Sequence, residues 1–270
     1  MSERKTIYLC LAHMSEAGLE QKYVKEAFDT NWVVPMGPNV NAFEKDLENF
    51  VNSRAPLRLV QSAEPETTVA AAEGESAPLR QVPGGEPSRQ EEPSRREEST
   101  NPSASPEKTT AEPLDRKVVC LSAGTAAVHL ALIGCGVKAG DEVLVQSYTF
   151  CASSHPITYL GAHPVFVGSE GETWNMDPAL LEKAILDRKA KTGRYPKAIV
   201  PVALYGMPYR IDEILSIADR YGIPVVEDAA EGMGSRFNGQ VLGTFGKYGV
   251  LSFNGNKMIT TSGGGALICR

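Results

Sequence analysis

The stretch VVCLSAGTAAVHLALIGCGV, residues 118–137, decides the fold. Its first four residues, VVCL, form a short apolar run suited to a buried strand. The next four, Ser122-Ala123-Gly124-Thr125, are small and turn-like. Apolar residues then run at helical spacing to Val137. A strand that passes through a small-residue turn into a helix is the first half of a βαβ unit. Toward the C-terminus the pattern recurs. Residues 142–146 (EVLVQ) read as a strand and 152–160 as a helix, then 164–167 (PVFV) and 177–189, then 198–202 (AIVPV) and 211–221. Residues 224–227 (PVVE), 249–253 and 265–268 read as three more strands. Short apolar strands alternating with helices predict an α/β fold with a mostly parallel sheet and helices on both faces.

Toward the N-terminus, residues 20–30 (EQKYVKEAFDT) have helical spacing, with Tyr23, Ala27 and Phe28 facing inward. NWVVPMGPN is turn-rich, and residues 41–51 (NAFEKDLENFV) are again helical, with Phe43, Leu47 and Phe50 on one stripe. Residues 1–60 therefore read as an N-terminal helical region of the domain completed by residues 117–270. Between them, residues 61–116 hold 12 of the 33 acidic and 6 of the 27 basic residues, 8 of the 18 prolines, and no Phe, Trp, Tyr or Ile. Such a composition buries too little apolar surface to offset its ordering entropy, so a disordered low-complexity insertion is expected. It reads as a solvated loop, or else as a phosphorylated or partner-binding arm.

The same segment accounts for the whole net charge of −6, because 21 acids and 21 bases remain elsewhere. An acidic balance argues against a nucleic-acid or anionic-membrane binder. No apolar run approaches the roughly 20 residues that span a bilayer, and the N-terminus has no signal-peptide pattern. Five cysteines, scattered and never in C-x-x-C spacing, point to a cytoplasmic protein without disulfides or a zinc or other metal site.

In a parallel sheet the ligand lies beyond the carboxyl ends of the strands, so the residues there are the candidates. Gly124 and Thr125 open a helix whose free N–H groups favour an anion, although the same four residues would also cap a helix. Phe150, in Ser147-Tyr148-Thr149-Phe150, could stack on a flat ring or lie in the core. Glu227 and Asp228 end an apolar strand, and period-2 alternation sends them to opposite sides. One of them could face a cationic ligand atom, or serve as a cap or ion-pair partner. Lys257 sits in NGNK, between Ser252 and the three glycines Gly263–Gly265, where nearby cations or desolvation would make it a nucleophile toward a carbonyl. An anion site, a ring platform, a carboxylate and a lysine are what pyridoxal 5′-phosphate asks for.

Six blocks in order, NWVVPMGPNVNAFE, SAGTAAVHLAL, YTFCASSHPITYLGAHPVFV, VALYGMP, VEDAAEGMGSRFNGQVLGTFG and LSFNGNKMITTSGGGAL, resemble the DegT/DnrJ/EryC1/StrS family of sugar aminotransferases. The resemblance implies the aspartate-aminotransferase-like large domain (PLP fold type I). It implies Lys257 as the Schiff-base lysine, Asp228 against the pyridine nitrogen and Glu231 against the cofactor. Thr125, Ala126 and Ser252 would hold the phosphate, and Phe150 would stack. Related dehydratases carry histidine in place of the lysine, so Lys257 favours transamination. The blocks look most like members that aminate C4 of a UDP-4-keto-6-deoxy-N-acetylhexosamine, on the bacillosamine route, with glutamate as donor, usually as homodimers. Family members continue past the glycine-rich strand into a small C-terminal domain, so a truncated chain is expected. Its alternatives to an active enzyme are an inactive relative that at most binds the cofactor, or a regulatory protein.

Overall fold

In a computed structural model of the chain, which describes residues 17–54 and 114–270, helix α1 (Leu19–Asp29) and helix α2 (Pro38–Asn52) precede strand β1 (Lys117–Leu121). Helix α3 (Gly124–Gly134) follows at once, then β2 (Glu142–Gln146), α4 (His155–Tyr159), β3 (His163–Val167) and α5 (Pro178–Thr192). The chain continues through β4 (Ala198–Val200), α6 (Ile211–Tyr221) and β5 (Val226–Asp228). A two-strand ribbon, β6 (Arg236–Phe237) and β7 (Gln240–Val241), leads to β8 (Tyr248–Ser252) and β9 (Gly265–Cys269). The described residues all belong to one contact unit. The expected insertion, up to residue 113, lies outside the described residues.

Strands order as β1-β9-β8-β5 and as β3-β2-β4. Parallel bridges Ile199–Val225 and Val202–Asp228 join β4 to β5, so the two sets run on as one seven-stranded sheet. Strand β9 is antiparallel to both its neighbours, β1 and β8, and β2 pairs parallel with β3 and β4. Alternation along the strands makes two cores. Val143, Val145, Val200, Val226 and Val250 pack with Val128, Ala131 and Leu132 of α3. Leu144, Ile199 and Leu251 face the other way, against Ile185 of α5, Ile211 and Ile214 of α6, and Leu47 and Val51 of α2. In α3 the buried Gly124, Ala127, Val128, Ala131 and Leu132 recur at the three- and four-residue spacing of one helical face.

Three expectations change. Helix α1 has no buried residue, and Tyr23 and Phe28 are exposed while Ala27 is half-buried. Its spacing names a face that no described element covers. The helix expected over 152–160 breaks into a 3-10 turn, Cys151–Ser153, and α4. Pro156 explains the break, because it has no N–H to give Ala152 and its ring clashes with that carbonyl. Arg116, assigned by composition to the insertion, belongs to the fold. It is buried; its backbone exchanges hydrogen bonds with the Asn52 side chain at 2.8 and 3.0 Å, and its guanidinium donates to the Thr244 carbonyl.

That carbonyl lies in the loop entering β8, and Glu227 holds the loop from the sheet side. Its buried carboxylate accepts from the N–H groups of Gly243 (3.1 Å), Phe245 and Gly246 (both 2.5 Å). Replacing Glu227 by alanine leaves two buried donors and one half-buried donor without an acceptor, so Glu227→Ala is expected to lower unfolding free energy by about 3 kcal/mol in urea titrations. A loss below about 0.5 kcal/mol would show that the loop is held by other means.

Candidate active site

The carboxyl ends of β1, β2, β4, β5 and β8 open on a cavity of about 690 Å³. Gly124, Thr125, Phe150, Asp228, Glu231, Ser252 and Lys257, seven of the eight residues singled out in the sequence, line it. The eighth, Ala126, stands on the first turn of α3 without lining the cavity.

Helix α3 begins without a side-chain cap. The N–H groups of Gly124, Thr125 and Ala126 have no intrahelical partner, and together they carry the positive end of the helix dipole. Glycines bring the surrounding backbone close. A Cβ on Gly124 would lie 3.0 Å from the Ser252 Cβ, and one on Gly265 would lie 2.4 Å from the Ala123 carbonyl carbon and the Gly124 nitrogen. The glycine run therefore lets β9 start against the mouth of α3, and the Gly264 N–H donates to the Ser122 carbonyl at 3.0 Å. Phe150 is 72% exposed, so it is a cavity-wall ring and not part of the core.

The two carboxylates of β5 separate as alternation requires. Glu227 serves the loop on one face, and Asp228 faces the cavity on the other. The Asp228 Oδ2 accepts from the Ser153 hydroxyl at 2.5 Å, and its Oδ1 accepts from the Ala230 N–H at 3.1 Å. Burial raises the Asp228 pKa above its ordinary value. The Ser153 hydroxyl, the Ala230 N–H and the Lys257 charge oppose that rise.

Lys257 points inward, with its side chain 12% exposed, and its Nζ lies 3.3 Å from Glu231 Oε1. Its charged partner is thus an acid, and of the two influences expected, nearby cations or desolvation, the side chain shows burial. The other Glu231 oxygen, Oε2, accepts at 2.7 Å from the Tyr205 N–H. Tyr205 is left-handed (φ 51°, ψ 26°), a costly backbone state for a bulky residue. Glu231 thus ties the lysine to a strained turn on the cavity wall.

Sequence reasoning missed two further residues. Ser153, fully buried, was read as an ordinary helix position, and the signal was Pro156 three residues on. Gln146, at the end of β2, is fully buried. Its Oε1 accepts from Met176 N and Val202 N, and its Nε2 donates to the Tyr148 carbonyl, which ties the cavity loops after β2 and β4 to the segment before α5. A buried polar residue closing an apolar strand was the available signal. Among the described residues, no three His, Cys, Asp or Glu side chains group as metal ligands, and no helix is long and apolar enough to cross a membrane.

An uncapped helix start, a buried carboxylate and an inward lysine on one cavity fit pyridoxal 5′-phosphate at its phosphate, its ring nitrogen and its aldehyde. Comparison with known proteins agrees. The model of the DegT/DnrJ/EryC1/StrS aminotransferase family matches residues 107–270, and the chain belongs to this family. EpsN of Bacillus subtilis (strain 168), assigned as a pyridoxal phosphate-dependent aminotransferase, is 41% identical over 264 residues, which cover 98% of this chain and 51% of EpsN. The GDP-perosamine synthase of Caulobacter vibrioides is 43% identical over 152 residues, 56% of this chain and 39% of that enzyme. The structure of Spr1654 from Streptococcus pneumoniae, assigned as a sugar aminotransferase and solved in its PMP form, superposes with a TM-score of 0.66 at 24% identity. That superposition covers 98% of this chain and 52% of the other, and the fold is the PLP fold type I expected. The chain spans about half the length of EpsN, and less of the synthase.

Because its folded pKa is raised, the Asp228 carboxyl holds its proton to higher pH in the folded chain than in the unfolded one. Acidification through that folded pKa therefore favours the fold, and at neutral pH the buried charge costs stability. The cofactor-free Asp228→Asn variant should melt at or above the parent's temperature at pH 7. The advantage should shrink toward pH 4. An advantage that grows on acidification would contradict this assignment.

Proposed function

We propose that this chain carries the cofactor-binding part of a pyridoxal-phosphate-dependent aminotransferase that aminates a nucleotide-linked 4-keto-6-deoxy sugar. The substrate class we favour is a UDP-2-acetamido-4-keto sugar of the bacillosamine type, with glutamate as donor, in the cytoplasm. The observation that carries this reading is the convergence of Lys257, Asp228 and the uncapped α3 start on one cavity. The sequence blocks shared with sugar aminotransferases support the substrate class, and a relative named for a GDP-linked sugar keeps it within nucleotide sugars. The same resemblance adds a homodimer. Domain limits follow the sequence reading, with residues 61–116 as an insertion whose last member, Arg116, is part of the fold.

When bound, pyridoxal phosphate supplies an electron sink that stabilises negative charge on the substrate carbon. The chain's own groups do the rest. The first-turn N–H groups of α3, with the Thr125 and Ser252 hydroxyls, hold the phosphate dianion. Phe150 offers its face to the ring. The carboxylate of Asp228 keeps a proton on the ring nitrogen. Nζ of Lys257 takes the proton from the donor's Cα and returns one to the sugar carbon. Glu231, 3.3 Å away, holds that Nζ on the cavity wall between steps.

The test is spectroscopic. Mixed with pyridoxal phosphate, the chain should show a bound-cofactor absorption band that Lys257→Ala abolishes. Glutamate should bleach it, and Asp228→Ala should slow bleaching roughly 100-fold. A UDP-linked 4-keto sugar should then restore the band faster than a GDP-linked one. A parent chain with no Lys257-dependent band would overturn the reading.

A further inference from the structure

Asp228 can hold a proton on a ligand nitrogen only if it stays ionised and keeps both oxygens fixed. Burial works against ionisation, and the charged groups near it are Lys257, which favours the anion, and Glu231, which opposes it. Lys257 is the reacting group in the proposed function, so its charge changes during the reaction and gives no constant support. Support that does not change comes from neutral donors. The buried Ser153 lies 2.5 Å from Oδ2, and the Ala230 N–H donates to Oδ1.

A second hydroxyl stands behind the first. Thr149 Oγ1 lies 2.8 Å from Ser153 Oγ. An ionised carboxylate only accepts, so the single Ser153 proton goes to Asp228, and Thr149 must then donate to Ser153. Such a chain polarises each bond toward the carboxylate. Both hydroxyls come from the loop after β2, where Pro156 interrupts the helix and leaves Ser153 in the 3-10 turn. Thr149 and Ser153 line the cavity alongside Asp228.

We infer that Thr149 and Ser153 form a directed hydroxyl relay that positions Asp228 and holds it as a carboxylate toward the ring nitrogen of the bound cofactor. They are positioning residues, since they act through Asp228. The inference rests on the proposed cofactor reading, and two measurements keep the two apart.

In the cofactor-free chain, the Asp228 carboxyl is followed by ¹³C NMR against pH. Ser153→Ala should move its midpoint upward by about one pH unit, and Thr149→Val should move it by less in the same direction. With pyridoxal phosphate, Ser153→Ala should keep a Lys257-dependent band. Its cofactor dissociation constant should rise about tenfold, and glutamate bleaching should slow by a similar factor. Ser153→Thr, which keeps the hydroxyl, should restore both. Thr149→Val gives the same readouts from a half-buried position if Ser153→Ala does not fold. An unmoved carboxyl midpoint in both variants, or cofactor affinity and bleaching within twofold of the parent, would overturn the relay and leave the cofactor reading intact. A parent chain without any Lys257-dependent band would overturn the cofactor reading and the relay with it.

Discussion

Two adjacent carboxylates at the end of a fully buried strand are the constraint around which this structure is arranged. Both carboxylates are nearly fully buried, so each takes donors from the protein. Strand alternation sends them to opposite faces, and the donors differ accordingly. Glu227 collects three backbone N–H groups of one loop and fixes the entry to β8. Asp228 collects one hydroxyl and one N–H, a smaller set, and faces the cavity. Thermodynamically the first is a saturated structural group. The second has one donor on each oxygen and lines the cavity.

The loop pinned by Glu227 connects distant parts of the chain. Thr244 in that loop accepts from Arg116, whose backbone is clamped by Asn52 at the end of α2. The segments on either side of residues 61–113 are therefore joined through one buried arginine next to β1. Strand β1 leads directly to the α3 start, so this end of the cavity is held in place by contacts from both α2 and the loop entering β8.

Much of this was legible in the sequence because periodicity and strand-end position are local properties. EVLVQ and the 211–221 helix have the bounds expected, and seven of eight site residues share the cavity. What was not legible depends on tertiary partners. Tyr23 and Phe28 have helical spacing, but spacing does not say whether anything covers the face. Which of Glu227 and Asp228 faces the cavity depended on where α3 lies. Ser153 and Gln146 are unremarkable residue types whose roles come from hydrogen bonds to residues 75 and about 30 to 56 positions away. The β6–β7 ribbon was readable in principle, since Asn238-Gly239 with φ of 48° and 79° is the sequence preferred for a two-residue hairpin turn.

The distribution of charge bears on how an anionic ligand reaches the site. All of the net −6 resides in residues 61–116, and the remaining acids and bases balance. With so little net charge outside that segment, the fold offers a phosphate-bearing cofactor little long-range attraction. Attraction must then be local, from the α3 dipole and from Lys257. Glu231 occupies Lys257 at 3.3 Å while its second oxygen restrains the left-handed Tyr205 turn. A ligand carbonyl that engages the lysine must displace one end of this bridge. Glu231 therefore links Lys257 to the left-handed Tyr205 turn of the cavity wall, one carboxylate oxygen to each.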